Sequence, residues 1–245
     1  MPESSAPVTI TLRIPGQWAH PGELLARLPA GHRMTAECLT MPDGSLMEFI
    51  PMPPDTKFVE IFRSSCRKPA TPEELAIVKN YTVNICLSGP GGSKEAALTM
   101  MQAGSAIIQA GAAGVFIDNC GLAHGGSDWL HMTEDAGPDA ISFAFVNIVR
   151  GKHEVWTMGM HCLGLRDIVM KRTDIEVDGF DIVEVIRYMS ASEMRIGDRH
   201  VIADLDGPRF RTTVMPSSDE LTGSAMHNPY GRLKLVSLRD IAENN

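Results

Sequence analysis

Residues 81–104 read YTVNICLSGPGGSKEAALTMMQAG: a strand-like apolar run, a glycine-rich loop, and the start of a helix. Nucleotide-binding proteins use that order to hold phosphate on the exposed N–H groups at a helix start. The phosphate loop needs the spacing G-x-x-x-x-G-K-[ST], in which lysine follows glycine directly and a hydroxyl then binds magnesium. Here Ser93 separates Gly92 from Lys94, and Glu95 stands where the hydroxyl belongs. The dinucleotide pattern G-x-G-x-x-G fails too, because Gly89 and Gly91 are followed by Lys94. What remains is a tight strand-to-helix turn, with Ser93 as N-cap and Glu95 favoured by the positive end of the helix dipole. Gly91, Gly92, Ser93 and Lys94 stay as a candidate anion site. The helix from Ser93 to about Gly111 is apolar on most of its circumference (Ala97, Met100, Met101, Ile107, Ile108), so it must be buried against a sheet.

Working back toward the N-terminus, VTITLRI (8–14) alternates with the period of a half-buried strand, and HPGELLARL (20–28) supplies a short helix. Two strand-like runs flank Pro42-Asp43-Gly44, a hairpin signal because glycine accepts positive φ. KFVEIF (57–62) reads as another strand. In ATPEELAIVKN (70–80), Thr71 caps, Pro72 fits the first helical position and Glu74 completes a capping box. With the strand at 81–88, the order is β-α-β-β-(β)-α-β, that of a ferredoxin-like α/β sandwich with one added strand.

Toward the C-terminus, AGVFIDN (113–119) reads as a strand and GGSDWLHM (125–132) as a short helix capped by Ser127. ISFAFVNIVRGKHEVWTMGMHCLGL (141–165) reads as two strands around Gly151-Lys152. VDGFDIVEVIRYMSAS (177–192) is an amphipathic helix with Ile182, Val185, Ile186 and Met189 on one side. HVIADLDGPRFRTTVM (200–215) gives a second Asp-Gly hairpin, and GRLKLVSL (231–238) a closing strand. The expected class is α+β, with one or two largely antiparallel sheets and helices packed on one face. Residues 6–80 and 81–241 form either two halves divided near Asn80 or one integrated domain.

The composition narrows the partners. A net charge of -8 repels phosphate backbones, which disfavours nucleic acid. No run approaches the length of a membrane span, and MPESSAPVTI lacks the basic start and apolar run of a secretory leader, so a cytoplasmic setting is expected. Cys38, Cys66, Cys86, Cys120 and Cys162 include no C-x-x-C pair, which suits reduced thiols rather than a disulfide framework or structural zinc.

The run Gly159-Met160-His161-Cys162-Leu163-Gly164-Leu165 resembles the G-x-x-x-L-G-L-x-[DE] signature of the bacterial domain-of-unknown-function family forty-two sixty-one. AGAAGVFIDN (110–119) and Ile196-Gly197-Asp198 resemble two further elements of that family, over roughly residues 81–238. The family continues its Gly-Asp element with threonine and glycine, where this chain has Arg199 and His200. The resemblance implies a fold and carries no established activity.

Three constellations are candidates for chemistry. His124, Asp128 and His131 supply two imidazoles and a carboxylate that can hold one divalent metal, although the H-E-x-x-H spacing is absent. His161 can serve as a general base with Asp118 or Glu134, whereas its neighbour Cys162 would point to the other face of a strand. Arg209 and Arg211 share one strand face and can grip a carboxylate or an acidic partner. No segment supplies a nucleophile, a base and an oxyanion site at recognisable spacing. The reading favoured is therefore a non-catalytic binding module, without cofactor, for a protein partner or a small anionic ligand. The alternatives are a metal-dependent hydrolase using the His/Asp/His segment and a structural homo-oligomer. A homodimer is expected because symmetric pairs are the commonest assemblies.

Overall fold

The computed structural model describes residues 7–175, 180–192, 196–204 and 207–238. The alternating N-terminal run forms β1 (Thr9–Gly16), burying Ile10, Leu12 and Ile14 on one face. After α1 (Pro21–Arg27) come β2 (Arg33–Met34), β3 (Cys38–Thr40) and β4 (Leu46–Met52). Gly44 turns the last hairpin at φ +87°.

KFVEIF, expected as a strand, is the start of α2 (Phe58–Ser65). A strand would put Glu60 on the same face as Phe58 and Phe62. A helical turn brings those two phenylalanines together in the core and leaves Glu60 in water. α3 (Pro72–Lys79) begins with the expected capping box: Glu74 N–H donates to Thr71 Oγ1 at 3.2 Å, and Thr71 N–H to Glu74 Oε2 at 2.8 Å.

β5 (Val83–Pro90), α4 (Lys94–Gln109), β6 (Gly114–Ile117), β7 (Leu122–Gly125) and α5 (Gly126–Asp135) follow. ISFAF, expected as a strand, belongs to α6 (Pro138–Phe145), where Pro138 opens the first turn and Ile141, Ala144 and Phe145 are buried at helical spacing. The strands expected around Gly151-Lys152 are β8 (Asn147–Arg150) and β9 (Glu154–Met158). A 3-10 turn (Met160–Leu163) leads to β10 (Asp167–Lys171). α7 (Phe180–Ala191) buries Ile182, Val185, Ile186 and Met189 as expected. β11 (Val201–Asp204) and β12 (Gly207–Met215) pair antiparallel, the tip of their expected hairpin at 205–206 lying outside the described residues, and β13 (Arg232–Ser237) is the last described strand.

Two sheets result, in an α+β arrangement. The first runs β2-β3-β4-β5-β1-β6-β7, antiparallel throughout. The second runs β11-β12-β13-β10-β9-β8, with β10 and β13 its one parallel pair. A ferredoxin-like order would set β1 between β4 and β5; here β5 lies between β4 and β1. Asn80 precedes the central strand of the first sheet, so a division there cuts through that sheet, and one apolar core spans both sheets. It runs from Leu12 and Ile85 through Met101 and Ile107 of α4 to Ile168 and Leu235. A smaller cluster around Phe58, Phe62, Val78 and Tyr81 lies under α2 and α3, on the face of the first sheet that carries Phe116 rather than Val115 and Ile117. That sheet thus bears helices on both faces rather than one.

The sheets are fastened where the glycine-rich loop meets the 3-10 turn. Gly92 N–H donates to the Cys162 carbonyl at 2.9 Å. Gly164, at φ +77°, lies so close to the loop that a Cβ on it would sit 2.3 Å from the Gly92 carbonyl oxygen. Gly164→Ala therefore meets a left-handed backbone penalty and a backbone clash together, and should cost about 3 kcal/mol or more. Gly44→Ala, whose Cβ would meet nothing within 4 Å, should cost only about 1 kcal/mol. Urea unfolding of both variants checks the difference; equal losses would refute the fastening.

Candidate functional site

The glycine-rich loop is engaged from within. Gly91 N–H donates to the Val8 carbonyl at 2.9 Å, Gly92 N–H to Cys162, and the Ser93 hydroxyl accepts the Ala96 N–H at 3.1 Å. Of the expected anion cradle at Gly91, Gly92, Ser93 and Lys94, the two glycine N–H groups already have carbonyl partners. Arg209 and Arg211 do share a face of β12, opposite buried Phe210 and Thr212, but they stand on the second sheet, apart from that loop.

The His124, Asp128 and His131 constellation is not brought together. His124 is buried on β7, its Nε2–H donating to the Ala144 carbonyl at 2.9 Å and its ring beside Trp129 and Phe143. Burial pushes its pKa down to about 4. Asp128 pairs with Lys68 at 3.2 Å, and His131 is exposed on α5. Among the described residues no group of three or more His, Cys, Asp or Glu is placed to hold a metal ion. Nor does Ser127 cap α5, whose N-cap is Gly125. Glu74 reaches across from α3, its Oε1 accepting both the Ser127 N–H and hydroxyl at 2.8 Å. Gly125 leaves the necessary room, since a Cβ there would lie 2.2 Å from Glu74 Oε2.

His161 sits in the 3-10 turn rather than on a strand. Its Nε2–H donates to the Ala225 carbonyl at 3.0 Å, and burial pushes its pKa down to about 4. Asp118, offered as its partner, instead accepts from the Arg13 guanidinium, from Nη2 at 2.8 Å and from Nε at 3.0 Å to each carboxylate oxygen. Glu134 is exposed on α5.

Sequence reasoning missed Asp167, the acidic position that ends the Gly159–Leu165 pattern. It is buried, and burial pushes its pKa up to about 7 against the bonds it accepts. These come from Asn228 Nδ2 at 2.8 Å, the Thr157 hydroxyl at 3.2 Å and the Met160 N–H at 3.3 Å. Its cleft, about 330 Å³, also exposes Trp156, His227 and Arg232.

Also missed was a cleft of about 830 Å³ between the residues after α2, α5, α6, α7 and the edge strand β8. Arg67, Lys68, Arg150 and Arg187 line it, against the carboxylates Asp135 and Asp139. Arg67 is fixed: it donates to the Phe143 carbonyl at 2.9 Å and to that of Val146, capping the end of α6, and lies 4.5 Å over the Phe143 ring. Arg187 pairs with Glu184 at 2.9 Å and Asp139 at 3.5 Å. Arg150 is exposed and makes no ion pair among the described residues.

The buried titratable groups set a signed pH dependence. His124 and His161 remain neutral in the fold down to about 4, while the unfolded chain takes up protons below 6.5, so stability is lost as pH falls from 6.5 to 4. Asp167 acts oppositely: the folded chain binds its proton from about 7 downward, and stability is gained until the unfolded value of 3.8 is reached. Two histidines outweigh one carboxyl, so acid weakens the fold between 6.5 and 4, and Asp167→Asn should steepen that loss. Urea midpoints across this range test it; an unchanged slope contradicts the assignment. No family model matches this chain, and neither a curated protein nor a solved structure shows significant similarity to it.

Proposed function

We propose that the chain is a non-catalytic binding module that holds an acidic ligand in the cleft between α5, α6, α7 and β8. The observation that carries this reading is the clustering of cations: Arg67, Lys68, Arg150 and Arg187 line one cleft of about 830 Å³ on a chain of net charge -8, and the carboxylates beside them, Asp128, Asp139 and Glu184, hold only Lys68 and Arg187. Arg150 is exposed and has no ion pair among the described residues. Lys68 and Arg187 are held by exposed pairs of the kind that contribute about 0–1 kcal/mol, so an incoming carboxylate or phosphate can replace Asp128 or Asp139. Arg67 contributes a fixed charge at the cleft wall.

The one thiol lining the cleft supports binding over nucleophilic chemistry. Burial pushes the Cys66 pKa up, and Glu74 and Asp128 push it further, the opposite of what an attacking thiolate needs. The five free cysteines fit a reducing, cytoplasmic setting.

Citrate, titrated calorimetrically at low and high salt, tests the reading. Salt-sensitive binding should weaken roughly tenfold in Lys68→Gln/Arg150→Gln, two surface interactions at the upper end of their usual range. Absence of citrate binding, or binding indifferent to the double substitution, overturns it.

A further inference from the structure

We infer that the occupant of this cleft is an extended, acidic segment of a partner protein, which adds as a seventh strand to the second sheet beside β8. This rests on the reading of the cleft as an acidic-ligand site and names the chemistry of the ligand's backbone as well as its charge.

β8 ends the second sheet: it pairs with β9, and no described strand pairs with its other edge. The direction in which its backbone groups face follows from the hairpin. Gly151 N–H donates to the Glu154 carbonyl at 2.9 Å, which makes Gly151 and Glu154 a hydrogen-bonded pair. Antiparallel pairs alternate between bonded and non-bonded. In the observed register, Arg150 opposite Val155 is therefore non-bonded, Val149 opposite Trp156 bonded, and Ile148 opposite Thr157 non-bonded. The N–H and C=O groups of Ile148 and Arg150 thus point away from β9, out of the open edge. These same two residues line the cleft, and Val149 between them does not.

Open edges are ordinarily blunted by charge, proline, a bulge or a covering element. β8 has no proline and no irregularity in its register, and Arg150 is its only charged residue. An added strand bonded to Ile148 and Arg150 would carry alternate side chains on the cleft face, where Arg150 is its cross-strand neighbour and Lys68 and Arg187 line the same cleft. Cross-strand pairs of opposite charge stabilise such pairing, and like charges oppose it. The strand addition supplies affinity through the main chain and the cations select acidic side chains. A second copy of this chain fits poorly as the occupant, because β8 as the added strand would bring Arg150 and no carboxylate to the cleft.

The test uses the intact chain and an eight-residue peptide alternating glutamate with threonine and valine, in three forms: unmodified, N-methylated at the amides of one edge, and N-methylated at those of the other. N-methylation removes donors from the peptide without altering the protein. The expected result is salt-sensitive binding that one methylated form loses by roughly tenfold or more, at least two hydrogen bonds being removed, and that the other keeps. Amide exchange at Ile148 and Arg150 should slow in the complex. Peptide binding indifferent to both methylations, or citrate binding without peptide binding, overturns strand addition and leaves the acidic-ligand reading standing. If neither peptide nor citrate binds, both fail. Sedimentation showing that the chain self-associates, with Ile148→Lys abolishing it, assigns the edge to a second copy and overturns the inference.

Discussion

One short hydrogen-bonded contact between two irregular segments orders the rest of the molecule. The Gly92 N–H meets the Cys162 carbonyl, and Gly164 packs backbone against backbone on the same loop. Close approach of this kind requires residues without side chains, and two of the participants, Gly92 and Gly164, also take the left-handed conformation that glycine accepts without steric cost. Because the loop leads directly into α4, the contact sets where that helix enters the space between the sheets. The apolar circumference of α4 then has one place to go, and Met100, Met101 and Ile107 complete a core that neither sheet could close alone. The loop that resembles a phosphate cradle is thus an internal joint, and its two glycine N–H donors, Gly91 and Gly92, serve the chain itself.

Much of the fold was legible from local physics. The Thr71 capping box, the glycine turn at Gly44, the alternation of β1 and the apolar stripe of α7 appear where their residues place them, because each depends on neighbours within one or two turns of chain. KFVEIF and ISFAF were misread for a definite reason. Short runs rich in phenylalanine and isoleucine fit either period, and the choice falls to tertiary packing. Only a helix lets Phe58 and Phe62 share the core while Glu60 stays in water, and only a helix puts Ala144 on the same face as Ile141 and Phe145. Strand order was equally invisible, since inserting β5 between β4 and β1 is decided by pairing partners distant in sequence.

The candidate site was the least legible part. Its cations come from separate segments: Arg67 and Lys68 follow α2, Arg150 ends β8, and Arg187 lies on α7. No spacing rule connects them. The His/Asp/His segment, by contrast, had suggestive spacing and no convergence, because β7 turns His124 into the core before α5 begins. Asp167 had a sequence signal in the acidic position of its pattern, yet its character comes from burial and from Asn228, some sixty residues away. Proximity in sequence predicted caps and turns well; it predicted chemistry poorly.

The central place of β13 bears on the order in which the chain can be completed as it is made. All seven strands of the first sheet lie between Thr9 and Gly125, so that sheet has every partner it needs once that stretch has emerged from the ribosome. The second sheet does not. β10 and β12 touch only through β13, and Asp167 finds its neighbour in Arg232. Until the last strand is synthesised, both flanking strands present bare edges, and the one parallel pairing must bridge the longest gap within that sheet. Such late closure leaves the strands of the second sheet open to misassociation until β13 has emerged, longer than those of the first sheet, and makes the pairing of β13 the more demanding folding step.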